Sequence, residues 1–432
     1  MVSGGGAAGR IVAIVERILG RAMPLGVRAW DGSRAGPADG PVLVIRSRRA
    51  LRRLLWQPDE LGLGRAWVAG EIDVEGDLEA ALRSFDAVIR EVRSRPGVTM
   101  GERAELMRAA VLLGAVGPPP KPPPEEITLE GERHTKRRDR VAVTAHYDVG
   151  NEFYEIVLGP SMVYSCAYWA GGDDAFTLED AQRAKLDLIC RKLGLASGQR
   201  LLDVGCGWGG LVLHAAREYG VRAVGITLSM EQALYARRRI DEAGLADVVE
   251  IRVQDWRDAD GGPFDAVASV GMAEHVGAAT WPEYALRLRE LVRPGGRVLN
   301  HQIVRVPARG QVPTSRGRSF IDAYVFPDGE LIPAGEVVAR LEDAGLEVRD
   351  VHSLREHYAR TLRGWVANLD GAWGRAVELA GEGRARVWRL YMTGSALSFD
   401  AGRIGVDQML AVRPHDDGRS GLPFMRPVGW SS

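Results

Sequence analysis

The chain has 432 residues, 46% of them hydrophobic and 26% charged, an ordinary balance for a protein that buries an apolar core. This composition excludes a collagen-like, wholly disordered or disulfide-stapled chain, and at roughly 100–200 residues per domain it allows two or three domains. With 56 Lys+Arg against 57 Asp+Glu, no whole-molecule attraction to nucleic acid is expected, and any anion-binding surface has to be a local patch.

The basic residues are arginine except for four lysines, Lys121, Lys136, Lys185 and Lys192. Genome base composition is the plain reading of that bias, and bidentate phosphate recognition the sharper one. Three cysteines, Cys166, Cys190 and Cys206, make neither a disulfide framework nor a metal-spaced cluster, so no metal is expected; they fit a reducing compartment. Arg10, Glu16, Arg17 and Arg21 interrupt the N-terminus, which rules out a signal-peptide apolar core. No run approaches the roughly 20 apolar residues that span a bilayer. A cytoplasmic protein is expected, meeting any lipid from outside.

Ile11, Val12, Ile14, Val15, Ile18 and Leu19 recur at helical spacing and predict an amphipathic helix, packed on its own domain or lying on a membrane. Pro41 to Ile45 reads as a strand, and residues 50–82 as a helix, a glycine-punctuated turn and another helix. Residues 1–115 hold no catalytic constellation and read as an accessory domain. The run GPPPKPPP at 117–124 forms neither helix nor sheet and is stiff and extended. With the basic cluster His134–Arg140 it makes 116–140 a linker. That cluster is either a solvated linker end or a contact for anionic head groups, each basic residue being worth about 1 kcal/mol there.

Over 141–432 the texture changes. RLLDVGC, RAVGITL, VEIRVQD, FDAVASV and GRVLNHQIV read as strands, with helices between them. The rhythm predicts an α/β fold with a doubly wound, mostly parallel, Rossmann-like sheet. LLDVGCGWGG, Leu201–Gly210, is a strand, a glycine turn and a helix start, and ligands of such sheets bind beyond the strands' carboxyl ends. The turn lacks the third glycine of a dinucleotide fingerprint, and the second strand ends in GITLS rather than in a ribose-binding acid. S-adenosylmethionine fits better. Asp203, Gly205 and Gly207 would hold it at the first strand end, Thr227, Leu228 and Gln232 after the second. After the third, Asp255 would accept from the adenine amine and Trp256 stack on the ring. An empty structural Rossmann-like domain is the bland alternative.

His146–Trp169, LLDVGCGWGG, VGITLSMEQALYAR, SVGMAEHVG, FIDAYVFPDGEL and RVWRLYMTGSALSFDAGRIGVDQM together resemble the cyclopropane-fatty-acyl-phospholipid and mycolic acid cyclopropane synthases, in the same order over about 140–412. LGLGRAWVAGEIDVEGDL is similar to the N-terminal part of the longer bacterial synthases. WDGSRAGPADGP and the overall length look like an actinobacterial subgroup, some of whose members make a methylene fatty acid, the precursor of tuberculostearate. The resemblance implies a class I methyltransferase that adds the methyl carbon of S-adenosylmethionine to a phospholipid acyl double bond through a carbocation, giving a cyclopropane or a mid-chain methylene such as 10-methylene stearoyl. It implies bicarbonate as the base, held by Cys166, Glu274, His301, Ile303 and Tyr358, and Tyr164 and Ser165 beside the cofactor. Aromatic residues such as Tyr164, Tyr168 and Trp169 suit a carbocation. It further implies an unsaturated membrane phospholipid as partner, peripheral contact at the inner membrane face and no nucleic acid; a homodimer and a reductase partner remain open. The basic loop with Arg305, Arg309, Arg316 and Arg318 reads as a head-group contact or a solvated loop. Two positions depart from the family: Ala273 where Phe is common, and Ser395 where many relatives have Cys. The rival readings are a methyltransferase for a small polar nucleophile and a cofactor-binding, lipid-associated pseudoenzyme.

Overall fold

The computed structural model describes residues 6–93, 108, 111, 113–147, 149–171, 175–306, 318–425 and 427–430. The chain folds into two compact units. One comprises Met1–Ile127, Ser315–Val325 and Gly381–Leu397, the other Thr128–Thr314, Phe326–Ala380 and Ser398–Ser432. The smaller unit thus takes in two segments from far beyond the linear boundary read at 115.

In the smaller unit, the helix Ala7–Leu19 forms as the apolar spacing predicts, and it buries Ala7, Ala8, Ile11 and Val12. The strands β1 (Gly26–Ala29), β2 (Arg34–Ala35), β3 (Val42–Ile45) and β4 (Ile72–Glu75) make a sheet in the order β2-β1-β3-β4. The segment read as a glycine-punctuated turn is the helix Glu60–Val68. Gly62 and Gly64 lie inside it because neighbours come too close for a side chain. A Cβ at Gly62 would fall 2.0 Å from the Gln57 carbonyl oxygen, and one at Gly64 2.3 Å from the Phe320 ring. Phe320 belongs to the short helix Phe320–Tyr324, so only the tertiary fold explains that glycine.

Buried and half-buried arginines hold this unit together. Arg53 grips Glu71 through two bonds of 3.1 and 2.9 Å and donates to the Lys121 carbonyl. Arg65 grips Glu126. Arg386 lies over the Trp67 ring at 4.3 Å and exchanges backbone bonds with Trp67, the indole donating to the Arg386 carbonyl. The proline-rich run contains no helix or strand, and its Gly117 and Lys121 carbonyls are tied to Trp56 and Arg53.

The larger unit carries a seven-stranded sheet of β5 (Arg200–Val204), β6 (Arg222–Thr227), β7 (Val249–Val253), β8 (Phe264–Val270), β9 (Val292–Arg305), β10 (Glu347–Ser353) and β11 (Ile404–Val412), in the order β10-β11-β9-β8-β5-β6-β7. The run β9-β8-β5-β6-β7 is parallel, and β11 lies antiparallel between β9 and β10. The inner parallel strands read as near-continuous apolar runs because both their faces are covered, whereas the edge strand β7 alternates buried and exposed residues. Leu201, Ala223, Leu211 and Ile189 fill the core on one face, and Val267, Trp281, Tyr284 and Leu341 that on the other. Strand order reverses at β5, so the turn after it opens at the switch point where such sheets bind ligands. The pair β10 and β11 is an addition to the strands read from sequence.

The basic cluster is in large part helix, Lys136–Tyr147, rather than linker. Lys136 pairs with Asp258, Arg138 with Asp328 and Asp139 with Arg257, so these charges serve internal bonds. Of the basic loop, 307–317 lies outside the described residues, with Arg309 and Arg316; Arg318 bonds to Glu126 and the Ile127 carbonyl.

Candidate active site

The glycine turn shows why its spacing is what it is. Gly205, Gly207 and Gly209 have φ of +83°, +52° and +80°, conformations that cost other residues strain. The Gly205 and Cys206 amides donate to the Ile226 carbonyl, joining the turn to β6. A Cβ on Gly205 would strike Met272, whereas one on Gly207 meets nothing within 4 Å. Backbone at Gly207 therefore borders open space, as a cofactor cradle requires.

A pocket opens over this turn, lined by Tyr164, Ser165, Lys185, Asp203, Gly205, Gly207, Trp208 and Gln232 among others. Six of the ten cofactor residues expected from sequence therefore share it. Thr227 donates to the Gln232 side chain at 2.8 Å and so orients it, while half-buried Leu228 follows β6 directly. Asp255 and Trp256 do not line the pocket. The Asp255 carboxylate is held by the Arg257 amide and guanidinium, and the buried Trp256 indole lies against Tyr284 at 4.9 Å and beneath Arg257 at 4.7 Å.

Sequence reasoning missed Lys185. It is fully buried on the helix Leu178–Leu193, and its ammonium donates to the Ser165 hydroxyl at 2.8 Å. Burial pulls it down to about 8 and pushes Asp203 up to about 7; the opposite charges partly offset both shifts. Asp203 Oδ1 is buried without a hydrogen-bond partner among the described residues, so an acceptor waits at the end of β5 for a cationic ligand group. The residues thus fit S-adenosylmethionine. The signal for Lys185 was its type: in a chain that otherwise uses arginine, a lysine marks a place for a compact ammonium. Lys185→Met is expected to weaken S-adenosylmethionine binding about tenfold, the scale of one charged buried hydrogen-bonding group, in a calorimetric titration.

Residues 163–169 are pinned from two helices. Gln182 donates to the Val163 and Ser165 carbonyls, Ala167 donates to Thr361 Oγ1, and Trp169 donates to His357 Nδ1. Cys166 is buried, its thiol donating to the Leu354 carbonyl at 3.6 Å. Leu354 precedes the helix Arg355–Gly371, which carries Tyr358, and its amide donates to Val406 on β11. Val406 pairs in register with Ile303. The Ile303 amide donates to Glu274 Oε1 at 2.8 Å. Cys166, Glu274, His301, Ile303 and Tyr358 therefore hang on adjoining elements, although they come from four separate stretches of sequence.

Two of these side chains carry buried polar atoms with no partner among the described residues, Glu274 Oε2 and His301 Nε2. Burial pushes Glu274 up to about 7 and holds His301 well below its ordinary value, so the imidazole is neutral at physiological pH. Orphaned buried groups of this kind cost about 1–3 kcal/mol each unless a ligand or water satisfies them. The donor and acceptor together fit a small oxyanion that keeps one proton of its own. The same unit carries a line of rings: Tyr164 to Trp365 at 5.4 Å, Trp365 to Tyr358 at 6.0 Å, and Tyr358 to Phe399 at 4.7 Å.

The reversed strand order, the glycine turn and its pocket define a class I, S-adenosylmethionine-dependent methyltransferase. Residues 134–409 match the mycolic acid cyclopropane synthetase family, and the chain belongs to it. It is similar to a probable fatty acid methyltransferase of Pseudomonas putida, 41% identical over 94% of this chain and 95% of that one. It is also similar to the tuberculostearic acid methyltransferase UfaA1 of Mycobacterium tuberculosis, 33% identical over 93% and 91%. Among solved structures it resembles the mycolic acid cyclopropane synthase CmaA1 complexed with SAH and CTAB, with TM-score 0.59 and 35% identity over 63% of this chain and 97% of that one.

Proposed function

We propose that the protein adds a one-carbon unit to the double bond of an unsaturated phospholipid acyl chain, with bicarbonate as the base. The observation that carries this reading is that two buried atoms, Glu274 Oε2 and His301 Nε2, are orphaned among the described residues, on elements tied to the pocket lining, the Gly271 amide donating to the His301 carbonyl. When bound, S-adenosylmethionine supplies an electrophilic methyl group and bicarbonate an oxygen that takes a proton.

An alkene needs no base to activate it, so the chain's main tasks are orientation and exclusion of water. The π-electrons of the alkene would form the new C–C bond as the methyl carbon's bond to sulfur breaks, its electron pair leaving with S-adenosylhomocysteine, and a cation would remain on the neighbouring acyl carbon. The faces of Tyr164, Trp365 and Tyr358 stabilise positive charge without offering a nucleophile. Loss of a proton from the added carbon, with ring closure, gives a cyclopropane; a hydride shift before that loss gives an exocyclic methylene. Glu274, protonated or sharing a proton with the anion, and neutral His301 position the base for either outcome. The methylene product is favoured by the relatives that align over nearly the whole chain, which are named fatty acid and tuberculostearic acid methyltransferases. Its conversion to a methyl branch then requires a separate hydride donor. An unsaturated phospholipid substrate would be met peripherally at the inner membrane face; among the described residues no helix is long and apolar enough to cross a membrane.

Incubation with methyl-labelled S-adenosylmethionine and oleoyl phospholipid vesicles tests the reading. Label is expected in the acyl chain, with vinylidene proton signals in the NMR spectrum for the methylene product or upfield ring signals for cyclopropane. Label in the head group would favour a polar acceptor, and binding without transfer a pseudoenzyme.

A further inference from the structure

The reading above makes His301 Nε2 a donor to the anion, but an imidazole with its proton on Nδ1 would present a bare lone pair there instead. His301 is 1% exposed and cannot borrow its orientation from bulk solvent. Its strand β9 pairs with β11, and the residue directly opposite is Gln408, itself fully buried. The Gln408 side-chain nitrogen lies 3.2 Å from His301 Nδ1, whereas Nε2 has no partner among the described residues. We infer that Gln408 is a positioning residue that donates its amide N–H to His301 Nδ1 and thereby keeps the imidazole proton on Nε2, aimed at the anion.

The Gln408 amide turns its nitrogen to the ring, its own Oε1 being buried without a partner among the described residues. A neutral imidazole has one donor and one acceptor nitrogen, and the bond made by one decides the state of the other. Strand register fixes the Gln408 backbone opposite His301, so the pair is held by the sheet rather than by a loop. Next to them Asn300 donates to Gln302, and Gln302 donates to the Ile303 carbonyl; neither takes up His301 Nδ1. Only Gln408 among the described side chains bonds that nitrogen.

The inference rests on the proposed anion site, and the two are tested apart. Ring-nitrogen NMR of the histidine-labelled protein, assigned with His301→Gln, reads the tautomer directly. The wild type is expected to carry its proton on Nε2; a proton on Nδ1 would overturn the Gln408 assignment whatever the enzyme's activity. Gln408→Glu, an acceptor of the same shape, is expected to move the proton to Nδ1 and to raise the bicarbonate concentration for half-maximal turnover about 10- to 100-fold, the usual effect of losing an orienting partner of a ligating histidine. Affinity for S-adenosylmethionine stays within about twofold. Gln408→Met, a neutral side chain of similar length, guards against misfolding of the charged variant and is expected to populate both tautomers. A tautomer unchanged in the folded Gln408→Met protein would also overturn the assignment. Bicarbonate-independent turnover of the wild type would instead sink the anion reading and leave the tautomer result standing.

Discussion

Glu274→Gln is expected to lower turnover by about 10²- to 10⁴-fold, the usual range for loss of a proton-handling group, with S-adenosylmethionine affinity nearly unchanged. Glu274 lies outside the residues that line the cofactor pocket, while its Oε1 accepts from the Ile303 amide and its Oε2 is left for a ligand. Glutamine keeps the shape but turns one of those oxygens into a donor and removes the exchangeable proton. Single-turnover kinetics beside a calorimetric titration of the cofactor separate the two effects. Normal turnover would remove Glu274 from the chemistry.

The same substitution has a signature in stability. Burial raises the Glu274 carboxyl from 4.5 to about 7 in the folded protein. Below about pH 4.5 the group is protonated in both states and costs nothing. As pH rises toward 7 the unfolded chain releases its proton while the folded chain retains it, so stability is lost across that window. The loss totals about 3 kcal/mol at 1.36 kcal/mol per unit. Glu274→Gln is expected to flatten this part of the stability profile, measured by denaturant unfolding between pH 5 and 8.

Gly205→Val is expected to abolish cofactor binding, weakening it more than about 100-fold, and to destabilise the larger unit. The position needs φ of +83°, which a β-branched residue adopts only with strain, and its Cβ would sit 2.9 Å from the Met272 Cβ. Gly207→Ala makes the informative contrast. Its Cβ meets nothing within 4 Å, so its left-handed backbone costs only about 1–2 kcal/mol, and the methyl group narrows the cradle. That variant is expected to fold and to bind the cofactor more weakly. Equal cofactor affinity in Gly205→Val and wild type would remove the turn from the site.

Much of this was legible in the sequence, and the parts that were not have identifiable causes. The inner parallel strands could be read because strands buried on both faces announce themselves as apolar runs, the edge strand β7 by its alternation, and the glycines of the turn because positive φ selects that residue. Gly62 and Gly64 misled for the same reason: they look like turn formers, yet they allow the Gln57 carbonyl and the Phe320 ring to approach a helix. The segments 315–325 and 381–397 join the smaller unit through contacts such as Arg386 with Trp67, which no local pattern encodes. At the site, Lys185, Gln182 and Gln408 went unread because a single buried polar residue has no spacing signature. Asp255 and Trp256 follow β7 but stand outside the residues that line the glycine-turn pocket, the carboxylate paired with Arg257 and the indole against Tyr284.

The central claim is that a trapped oxyanion at Glu274 and His301 takes the proton lost from the acyl chain. Turnover of oleoyl phospholipid in buffer stripped of carbon dioxide measures this most directly, with bicarbonate then added back. The account predicts at least a tenfold fall on stripping and recovery with bicarbonate but not with chloride. Undiminished turnover in the stripped buffer would contradict it.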